Sequence, residues 1–251
     1  MAEALKPVIV IPARMASTRL PGKPLANIAG KPMIVQVLER AKEADIGPVL
    51  VACAEQEIAD AVTGAGGQAI LTKPDHPSGS DRVHEAVELF DPAGTHDVII
   101  NLQGDLPLLD PSAIRASLKS VEESAADLAT LVAKINDPAE LDDESAVKAV
   151  VSLLPGAKRG PALWFSRLKA PGGEGAHYHH IGIYAYRRAA LARFVALPPS
   201  PLEMREKLEQ LRALEAGMRI DAALVDTVPL GVDTPEDLAR IREMFKARIA
   251  R

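Results

Sequence analysis

Residues 8–25 read VIVIPARMASTRLPGKPL, and they join a buried strand to a basic loop. The four branched apolar residues at the start predict a strand that is covered on both faces, as in a parallel sheet. The apolar pattern then stops, and Arg14, Arg19 and Lys23 follow. A basic loop at the carboxyl end of a parallel strand is a favourable place to bind phosphates. We therefore expect this loop to hold a nucleoside triphosphate.

The loop differs from two common phosphate-binding motifs. It lacks the Gly-Lys-Ser/Thr of the P-loop and the glycine fingerprint of dinucleotide-binding folds. Arginine guanidinium groups nevertheless match paired phosphate oxygens, and lysine supplies a movable point charge. The alternative is that these cations are only solvated loop charges. The position directly after the first strand, and the restriction of the backbone by Gly22 and three prolines, favour a binding loop.

Composition narrows the class of protein. The 251 residues are 47% apolar and 25% charged, as in an ordinary globular chain, and the net charge of −5 argues against general nucleic-acid binding. No apolar run approaches the ~18 residues of a membrane span, so we expect no membrane insertion. Cys53 is the one cysteine and lies in an apolar run. We expect it to be a buried side chain in a cytoplasmic protein without internal disulfides.

The first hundred residues alternate strands and helices. Apolar runs predict strands at 8–11, 48–53, 69–71 and 97–102, and helical spacing predicts crossovers between them. This order is typical of a parallel sheet with helical connections. The middle is richer in predicted strands, at 128–135, 146–154, 162–165 and 180–186. Helices are expected at 111–123, 187–195 and 202–217, a strand at 220–225, and a last helix from Pro235 with Thr234 as its cap.

Two aspartates follow predicted buried strands. Asp105 comes directly after Gly104, and Asp233 precedes Thr234, which leaves Asp233 without a capping duty. An aspartate at such a position is often only a turn former. Two carboxylates at strand ends of one sheet, facing a triphosphate, match the one or two carboxylates that usually hold Mg²⁺. The topology therefore predicts a magnesium site.

The strand predicted at 180–186 alternates in character. One face is expected in the core and the other is expected to line a polar pocket. The core face carries Ile181, Ile183 and Ala185, and the pocket face carries His180, Tyr184 and Tyr186. The neighbouring histidines 177, 179 and 180 have no cysteine or acid spaced with them, so we do not expect a zinc site. On the predicted helix 202–217 the stripe of Glu203, Glu206 and Gln210 is expected to be a solvated face.

Motifs along nearly the whole chain resemble those of 3-deoxy-manno-octulosonate (Kdo) cytidylyltransferases. The longest are IPAR and STRLPGKPL at residues 11–14 and 17–25 and GVDTPED at 231–237. The shorter ones are SGSDR at 78–82, QGD at 103–105, AVK at 146–148, FSR at 165–167, HIGIY at 180–184, PLE at 201–203 and LEQLR at 208–212. Two positions depart from the family pattern: Cys53-Ala54 replaces Thr-Asp, and Leu106 replaces Glu.

The resemblance implies a mixed, mostly parallel α/β sheet flanked by helices, with a small β-rich lobe used in dimerisation. It implies transfer of the cytidylyl group of CTP to Kdo, giving CMP-Kdo and pyrophosphate for lipopolysaccharide biosynthesis, with Mg²⁺ as cofactor and a homodimer as the working form. We expect one domain over residues 1–251. Its parts would be a nucleotide half at 1–125, a sugar-binding and dimerisation lobe at 126–200, and a return to the main sheet at 201–251.

The resemblance also implies the roles of particular residues. Those expected to hold the triphosphate are Arg14, Ser17, Arg19 and Lys23, and those expected around the cytidine are Ser78, Gly79 and Gln103. Asp105 and Asp233 would bind Mg²⁺, and with Lys23 and Arg14 they form the expected catalytic set. The residues expected to face the sugar acid are Arg167, His180, Tyr184, Glu209 and Gln210. Other acceptors stay open, namely 8-amino-Kdo, sialic acid or a sugar phosphate, as does a catalytically silent nucleotide-binding homologue.

Overall fold

The computed structural model describes residues 5–17 and 19–249, so Thr18 of the basic loop lies outside the described residues. The chain divides into two compact units. The first comprises the residues up to Ile114 together with those from Pro229 onward, and the second is Arg115–Val228. In the described ranges none of the helices combines the length and the apolar character that a membrane crossing requires.

The helices and strands follow the predicted order closely. The strands are β1 Pro7–Ala13, β2 Asn27–Ile28, β3 Lys31–Pro32, β4 Val49–Cys53, β5 Gln68–Leu71, β6 Val98–Asn101, β7 Leu128–Lys134, β8 Lys148–Val151, β9 Arg159–Ser166, β10 Tyr178–Arg187 and β11 Ile220–Val225. The α-helices are α1 Met33–Lys42, α2 Gln56–Gly64, α3 Gly79–Phe90, α4 Pro111–Glu122, α5 Ala139–Asp142, α6 Arg188–Ala196, α7 Pro201–Glu206, α8 Leu211–Glu215 and α9 Pro235–Ile249.

The first unit contains a parallel sheet in the order β5-β4-β1-β6. Strand β1 lies between β4 and β6, with Ile9 opposite Val49 and also opposite Ile100. Its residues 8–11 are fully buried, as the unbroken apolar run predicted. Because all four strands are parallel, their carboxyl ends lie at one edge of the sheet. The basic loop and the segment carrying Asp105 therefore leave the sheet at the same edge.

The second unit contains a ring of strands. The order is β10-β7-β11-β9-β8, and β8 also pairs with β10, which closes the ring. Strands β7 and β11 are parallel, and the other pairs in the ring are antiparallel. Lys148 on β8 is fully buried and donates its ammonium hydrogens to the carbonyls of Asp143 and Arg167. The expected mixed α/β fold with a β-rich part is thus confirmed, with parallel pairing concentrated in the first unit.

One predicted helix is wrong. The segment 202–217 forms two short helices, α7 and α8, because Lys207 adopts left-handed backbone angles (φ 58°, ψ 41°) that end α7. Ser200 and Glu203 close a capping box at the start of α7. After the break the chain turns inward, and Leu208 and Gln210 are buried. The expected solvated stripe therefore does not exist, since Gln210 lies in the interior.

Smaller differences concern element ends. Pro32 is the residue before α1 and not part of its first turn. The acidic segment between β7 and β8 contains the short helix α5, for which no helix was predicted. Strand β9 is longer than predicted and β8 is shorter. Cys53 is fully buried at the end of β4, as expected, and this burial raises the pKa of its thiol to about 11.

Candidate functional site

A cavity of about 430 Å³ opens at the carboxyl edge of the first unit's sheet. Every residue that was expected to hold the nucleotide lines it, together with Asp105. The lining residues are Pro12, Ala13, Arg14, Ala16, Ser17, Arg19, Lys23, Pro24, His76, Ser78, Gly79, Arg82, Gln103, Gly104 and Asp105. Three polypeptide segments, separated by dozens of residues in sequence, thus converge on one cavity, as the parallel topology predicted.

The basic loop is shaped by local backbone contacts. Gly22 precedes a short 3₁₀ helix, Lys23–Leu25, and has a positive φ of 69°. Residues other than glycine rarely adopt this backbone angle. The Ser17 hydroxyl accepts a hydrogen bond from the Leu20 amide at 3.4 Å. The Met15 amide donates to Oε1 of Glu55 at 3.0 Å, which ties the loop to the chain after β4. These contacts fix the backbone from which Arg14, Ser17 and Lys23 project.

The Lys23 ammonium lies between the two predicted metal ligands. Its Nζ is 2.7 Å from Oδ2 of Asp105 and 3.0 Å from Oδ1 of Asp233. Burial opposes the charged form of Lys23, but the two carboxylates outweigh it, so its pKa is raised. Arg19 reaches Asp233 as well, at 3.1 Å. The structure therefore brings together two aspartates that stand 128 positions apart in the sequence.

Backbone contacts place the two aspartates side by side. The Val232 amide donates to the carbonyl oxygen of Asp105 at 3.0 Å, which joins the segment before α9 to the segment after β6. Gly104 is required here because a Cβ on it would lie 2.9 Å from the Pro12 carbonyl oxygen. The end of β1, the Asp105 turn and the Asp233 turn are therefore in direct contact.

The start of α9 orients Asp233. Thr234 caps the helix as predicted, because its hydroxyl accepts from the Asp237 amide at 3.2 Å. In return the Asp237 carboxylate accepts from the amides of Asp233 and Thr234 at 3.0 and 2.9 Å. Burial alone would raise the pKa of Asp237, but these hydrogen bonds hold it below its usual value. Asp237 belongs to the GVDTPED motif, but no role was predicted for it from the sequence.

Ser78 caps α3 at the opposite wall of the cavity. Its hydroxyl accepts from the Ser80 and Asp81 amides at 3.1 and 3.3 Å and donates to the Asp81 carboxylate at 2.7 Å. Gly79 is the first residue of the helix, and a Cβ on it would lie 3.6 Å from the Pro12 side chain. The amino terminus of α3, which carries a partial positive charge, therefore belongs to the cavity wall.

Two lining residues were not singled out by sequence. Arg82 is buried and donates to the Thr72 hydroxyl at 2.5 Å and to the Lys73 carbonyl at 3.1 Å. Burial lowers its pKa, Glu55 opposes this, and Arg14 adds to it. His76 pairs with Glu85, whose carboxylate also accepts from the Lys73 amide. Arg82 stands in the SGSDR motif, so that motif carried the signal, whereas no pattern distinguished His76 from other loop residues.

The residues expected to face the sugar acid all lie in the second unit. The Arg167 guanidinium donates to the carbonyls of Glu144, Glu206 and Lys207 at 3.0, 3.2 and 3.5 Å. Arg167 is thus held at the break between α7 and α8. All three of these acceptors are backbone carbonyl oxygens, not acidic side chains.

His180 and Tyr184 form part of a buried aromatic row. A bulge between Ile181 and Ala185 interrupts the register of β10, and side chains on both faces of the strand are buried. That His180 and Tyr184 line a polar pocket stays a prediction. The row runs through Phe165, His180, Tyr184, Tyr186 and Phe194. Burial lowers the pKa of His180 to about 3, so its ring is neutral, and Thr130 Oγ1 lies 3.0 Å from Nε2.

Glu209 and Gln210 lie near this row. Burial raises the pKa of Tyr184, and the nearby Tyr186 and Glu209 add to the effect. Gln210 is buried, and its Nε2 has no hydrogen-bond partner among the residues that the structure describes. An amide hydrogen left without an acceptor inside a protein is unfavourable. The five residues expected to face the sugar acid are therefore grouped in one unit.

The chemistry of Asp105 and Asp233 fits a magnesium ion. Both carboxylates already stabilise one shared cation, and oxygen ligands of this kind are what Mg²⁺ prefers. Within residues 5–17 and 19–249 no group of three or more His, Cys, Asp or Glu side chains has the arrangement of a metal site. His177, His179 and His180 have separate partners in Pro171, Glu140 and Thr130.

Comparison with known proteins agrees with this geometry. A family model described as cytidylyltransferase matches residues 8–220. Proteins named 3-deoxy-manno-octulosonate cytidylyltransferase are similar over nearly the full length. That of Rhodospirillum centenum is 63% identical over 96% of this chain and 94% of its own, and that of Rhodospirillum rubrum is 64% identical over 96% of both.

A solved structure supports the same relationship. The structure of CMP:2-keto-3-deoxy-manno-octonic acid synthetase complexed with CTP superposes with a TM-score of 0.88 at 41% identity, over 97% of this chain and 99% of that one. The cavity, the paired aspartates and these full-length similarities lead to one conclusion. The chain belongs to the 3-deoxy-manno-octulosonate cytidylyltransferase family.

Proposed function

We propose that this protein transfers the cytidylyl group of CTP to the anomeric hydroxyl of Kdo, producing CMP-Kdo and pyrophosphate for lipopolysaccharide biosynthesis. The observation that carries the proposal is the meeting of Asp105, Asp233 and Lys23 beside a cavity lined with cations. Identity of about 60% to enzymes bearing that name supports the choice of CTP and Kdo.

The cavity residues divide the nucleotide between them. Arg14, Ser17, Arg19 and Lys23 bind the triphosphate, since a loop with three cations compensates its charge. Ser78, Gly79 and Gln103 surround the cytidine from the walls formed by α3 and by the chain after β6. CTP thus lies across the carboxyl edge of the parallel sheet, which is the usual ligand position in open α/β sheets.

Asp105 and Asp233 are the proposed ligands of Mg²⁺. When bound, the ion supplies Lewis-acid chemistry, lowering the pKa of a coordinated hydroxyl and offsetting phosphate charge. Arg19 and Lys23 already neutralise the two carboxylates. Lys23 pairs with the same carboxylates that would bind the ion. Once the ion compensates their charge, the Lys23 ammonium can move to the α-phosphate.

The reaction is an in-line displacement at the α-phosphorus. The anomeric hydroxyl of Kdo loses its proton to solvent and its oxygen forms a bond to phosphorus, while the bond to the bridging oxygen of the leaving pyrophosphate breaks. No covalent enzyme intermediate forms. Lys23 stabilises negative charge at the α-phosphate, and Arg14 stabilises charge at the β- and γ-phosphates. Most of the acceleration comes from positioning and electrostatic stabilisation, as in phosphoryl transfer generally.

The second unit selects the sugar acid. Arg167 pairs with the Kdo carboxylate by exchanging its present carbonyl acceptors for a charged one, which makes the stronger hydrogen bond. His180, Tyr184, Glu209 and Gln210 offer polar atoms to the sugar hydroxyls. The unsatisfied amide of Gln210 gains a partner in this way.

The proposed working form is a cytoplasmic homodimer, in which the two units act as one nucleotidyltransferase domain. Its parts are the nucleotide half at 1–125, the lobe at 126–200 and the C-terminal return at 201–251. Three leucines in and beside β8 and β9 are largely exposed, namely Leu154, Leu163 and Leu168. Because large contiguous apolar patches mark interaction sites, we propose that these leucines contribute to the subunit interface.

Pyrophosphate release from CTP tests the proposal. The acceptors to compare are Kdo, 8-amino-Kdo, N-acetylneuraminate and hexose 1-phosphates. We expect the highest kcat/KM with Kdo. A higher value with another acceptor would reassign the substrate. CTP binding without pyrophosphate release for any acceptor would contradict the enzymatic proposal and favour a silent nucleotide-binding homologue.

A further inference from the structure

Glu55 stands at the start of α2 but does not cap it. It is the residue before the first turn, and its side chain makes no hydrogen bond to the amides of its own helix. Serine, threonine, aspartate and asparagine are the residues that favour this position. A glutamate here is therefore a weak choice for helix stability, which indicates that its side chain serves another contact.

That contact is the backbone of the basic loop. Oε1 of Glu55 accepts the Met15 amide hydrogen at 3.0 Å, over a separation of 40 residues. Met15 lies directly between Arg14 and Ala16, and both of these line the cavity. The hydrogen bond thus fixes the part of the loop from which Arg14 projects, at the point where the chain leaves β1.

The second carboxylate oxygen of Glu55 makes no hydrogen bond within the described part of the chain. Oε2 of Glu55 is buried without a hydrogen-bond partner among the described residues. Burial lowers the pKa of Arg82; Glu55 counteracts this by favouring the charged guanidinium, while Arg14 disfavours it. Glu55 therefore lies close to Arg82, a cation that lines the nucleotide cavity.

We propose that Glu55 is a positioning residue for the β- and γ-phosphates of CTP, acting through its hydrogen bond to the Met15 amide, which sets the position of Arg14. The inference rests on the proposed function, because it assumes that the cavity binds CTP. It adds a residue outside the motifs that resemble the family's, and outside the cavity lining itself.

A pair of variants with equal charge isolates the hydrogen bond. Glu55→Gln keeps an oxygen acceptor for the Met15 amide, and Glu55→Ala removes it. Binding of CTP and of CMP to each intact protein is measured by calorimetry. We expect Glu55→Ala to weaken CTP binding by about 3- to 10-fold relative to Glu55→Gln, the loss of one hydrogen bond. CMP binding should be equal in the two variants, because CMP lacks the phosphates that Arg14 contacts.

Glu55→Asp separates positioning from stability. Aspartate is the better helix cap, but it is one methylene shorter and falls short of Met15. We expect this variant to melt at or above the wild-type temperature and yet to bind CTP as weakly as Glu55→Ala. Glu57→Ala is the matched control, since Glu57 is an exposed glutamate in the first turn of the same helix. It should leave CTP binding unchanged.

The outcomes distinguish this inference from the proposed function. If wild-type protein does not bind CTP more tightly than CMP, the proposed function fails. If wild-type protein prefers CTP but Glu55→Ala and Glu55→Gln bind it equally, the positioning role is wrong. The role is also wrong if Glu55→Ala weakens CTP and CMP by the same factor, because the effect would then not depend on the outer phosphates.

Discussion

At the scale of the single residue, Lys23 is the side chain on which the account depends most. It is partly buried, its pKa is raised, and its ammonium group is held by two carboxylates. A lysine in this position remains charged throughout the physiological range. In the proposed mechanism it therefore brings a fixed positive charge to the α-phosphate without needing a proton transfer.

Replacing Lys23 with alanine should lower kcat more than it raises KM for CTP. The reason is that the ammonium group stabilises charge that develops mainly in the transition state, while the arginines still bind the ground-state triphosphate. We expect kcat to fall by about 100-fold or more, comparable to loss of an oxyanion-hole donor. Steady-state kinetics measure both constants. Lys31→Ala, an exposed lysine outside the cavity, is the control, and a change in KM alone would make Lys23 a simple binding contact.

Asp105→Ala should abolish turnover and leave the protein folded. Asp233 still pairs with both Lys23 and Arg19, so the Lys23 ammonium keeps an acidic partner. Circular dichroism and thermal melting check the fold, and pyrophosphate release measures activity. Product formation near the wild-type rate would show that Asp105 is not a metal ligand.

The sequence predicted the meeting of Asp105 and Asp233 but not the position of Lys23 between them. The meeting follows from topology, because both residues come after buried strands or turns at one edge. The choice of partner for a flexible lysine depends on distances that residue spacing does not contain. The same holds for Glu55, whose contact with Met15 joins two loops that only the folded sheet brings together.

At the scale of the element, the segment from α7 to α8 is the clearest case. Its apolar spacing matched a single helix, yet the helix ends at Lys207. Helices commonly end at a glycine in the left-handed conformation, and a lysine there gives no such signal. Tertiary contacts hold the two short helices together. Arg212 on α8 donates hydrogen bonds to the Glu203 carboxylate on α7 at 2.6 and 2.8 Å, and its guanidinium lies over the Phe194 ring.

Glu203→Gln should destabilise the protein at neutral pH and matter less in acid. Burial alone would raise the pKa of Glu203, but the Arg212 and Ser200 hydrogen bonds hold it below its usual value. Its contribution is therefore complete above the unfolded-state pKa of about 4.3 and is lost as the pH falls through the lower folded-state value. We expect a loss of about 1–3 kcal/mol at pH 7.

Chemical denaturation at pH 7 and at several lower pH values measures this difference in unfolding free energy. Glu122→Gln, at an exposed glutamate of α4, should change little at any pH. A Glu203→Gln effect that is the same at pH 7 and below the folded-state pKa would contradict an ionic role for the pair.

At the scale of the whole molecule, the sequence predicted the positions of most strands but not how the strands of the second unit pair. The alternation of strands and helices in the first unit predicts a parallel sheet, since few topologies satisfy it. The ring in the second unit closes through pairing of Tyr178 with Ala149, which are distant in sequence. Antiparallel strands of similar composition give several possible orders, so sequence alone could not choose this one.

The double variant Leu163→Glu/Leu168→Glu should convert the proposed homodimer to a monomer. Both leucines are more than half exposed in the single chain, and burying glutamates in an apolar interface is unfavourable. We expect the dimer dissociation constant to rise by about 100-fold or more, equivalent to two lost anchor side chains. Analytical ultracentrifugation measures it. Leu89→Glu, at an exposed leucine of α3, is the control, and a wild-type monomer would contradict the proposed interface.

The fate of labelled phosphorus tests the central proposal most directly. Wild-type protein is incubated with Kdo, Mg²⁺ and CTP that carries one label at the α-phosphorus and another at the γ-phosphorus. We expect the α-label to appear in a sugar–nucleotide product and the γ-label in pyrophosphate, in equal amounts. Recovery of the γ-label on the sugar, or of the α-label only in free CMP, would contradict cytidylyl transfer to Kdo.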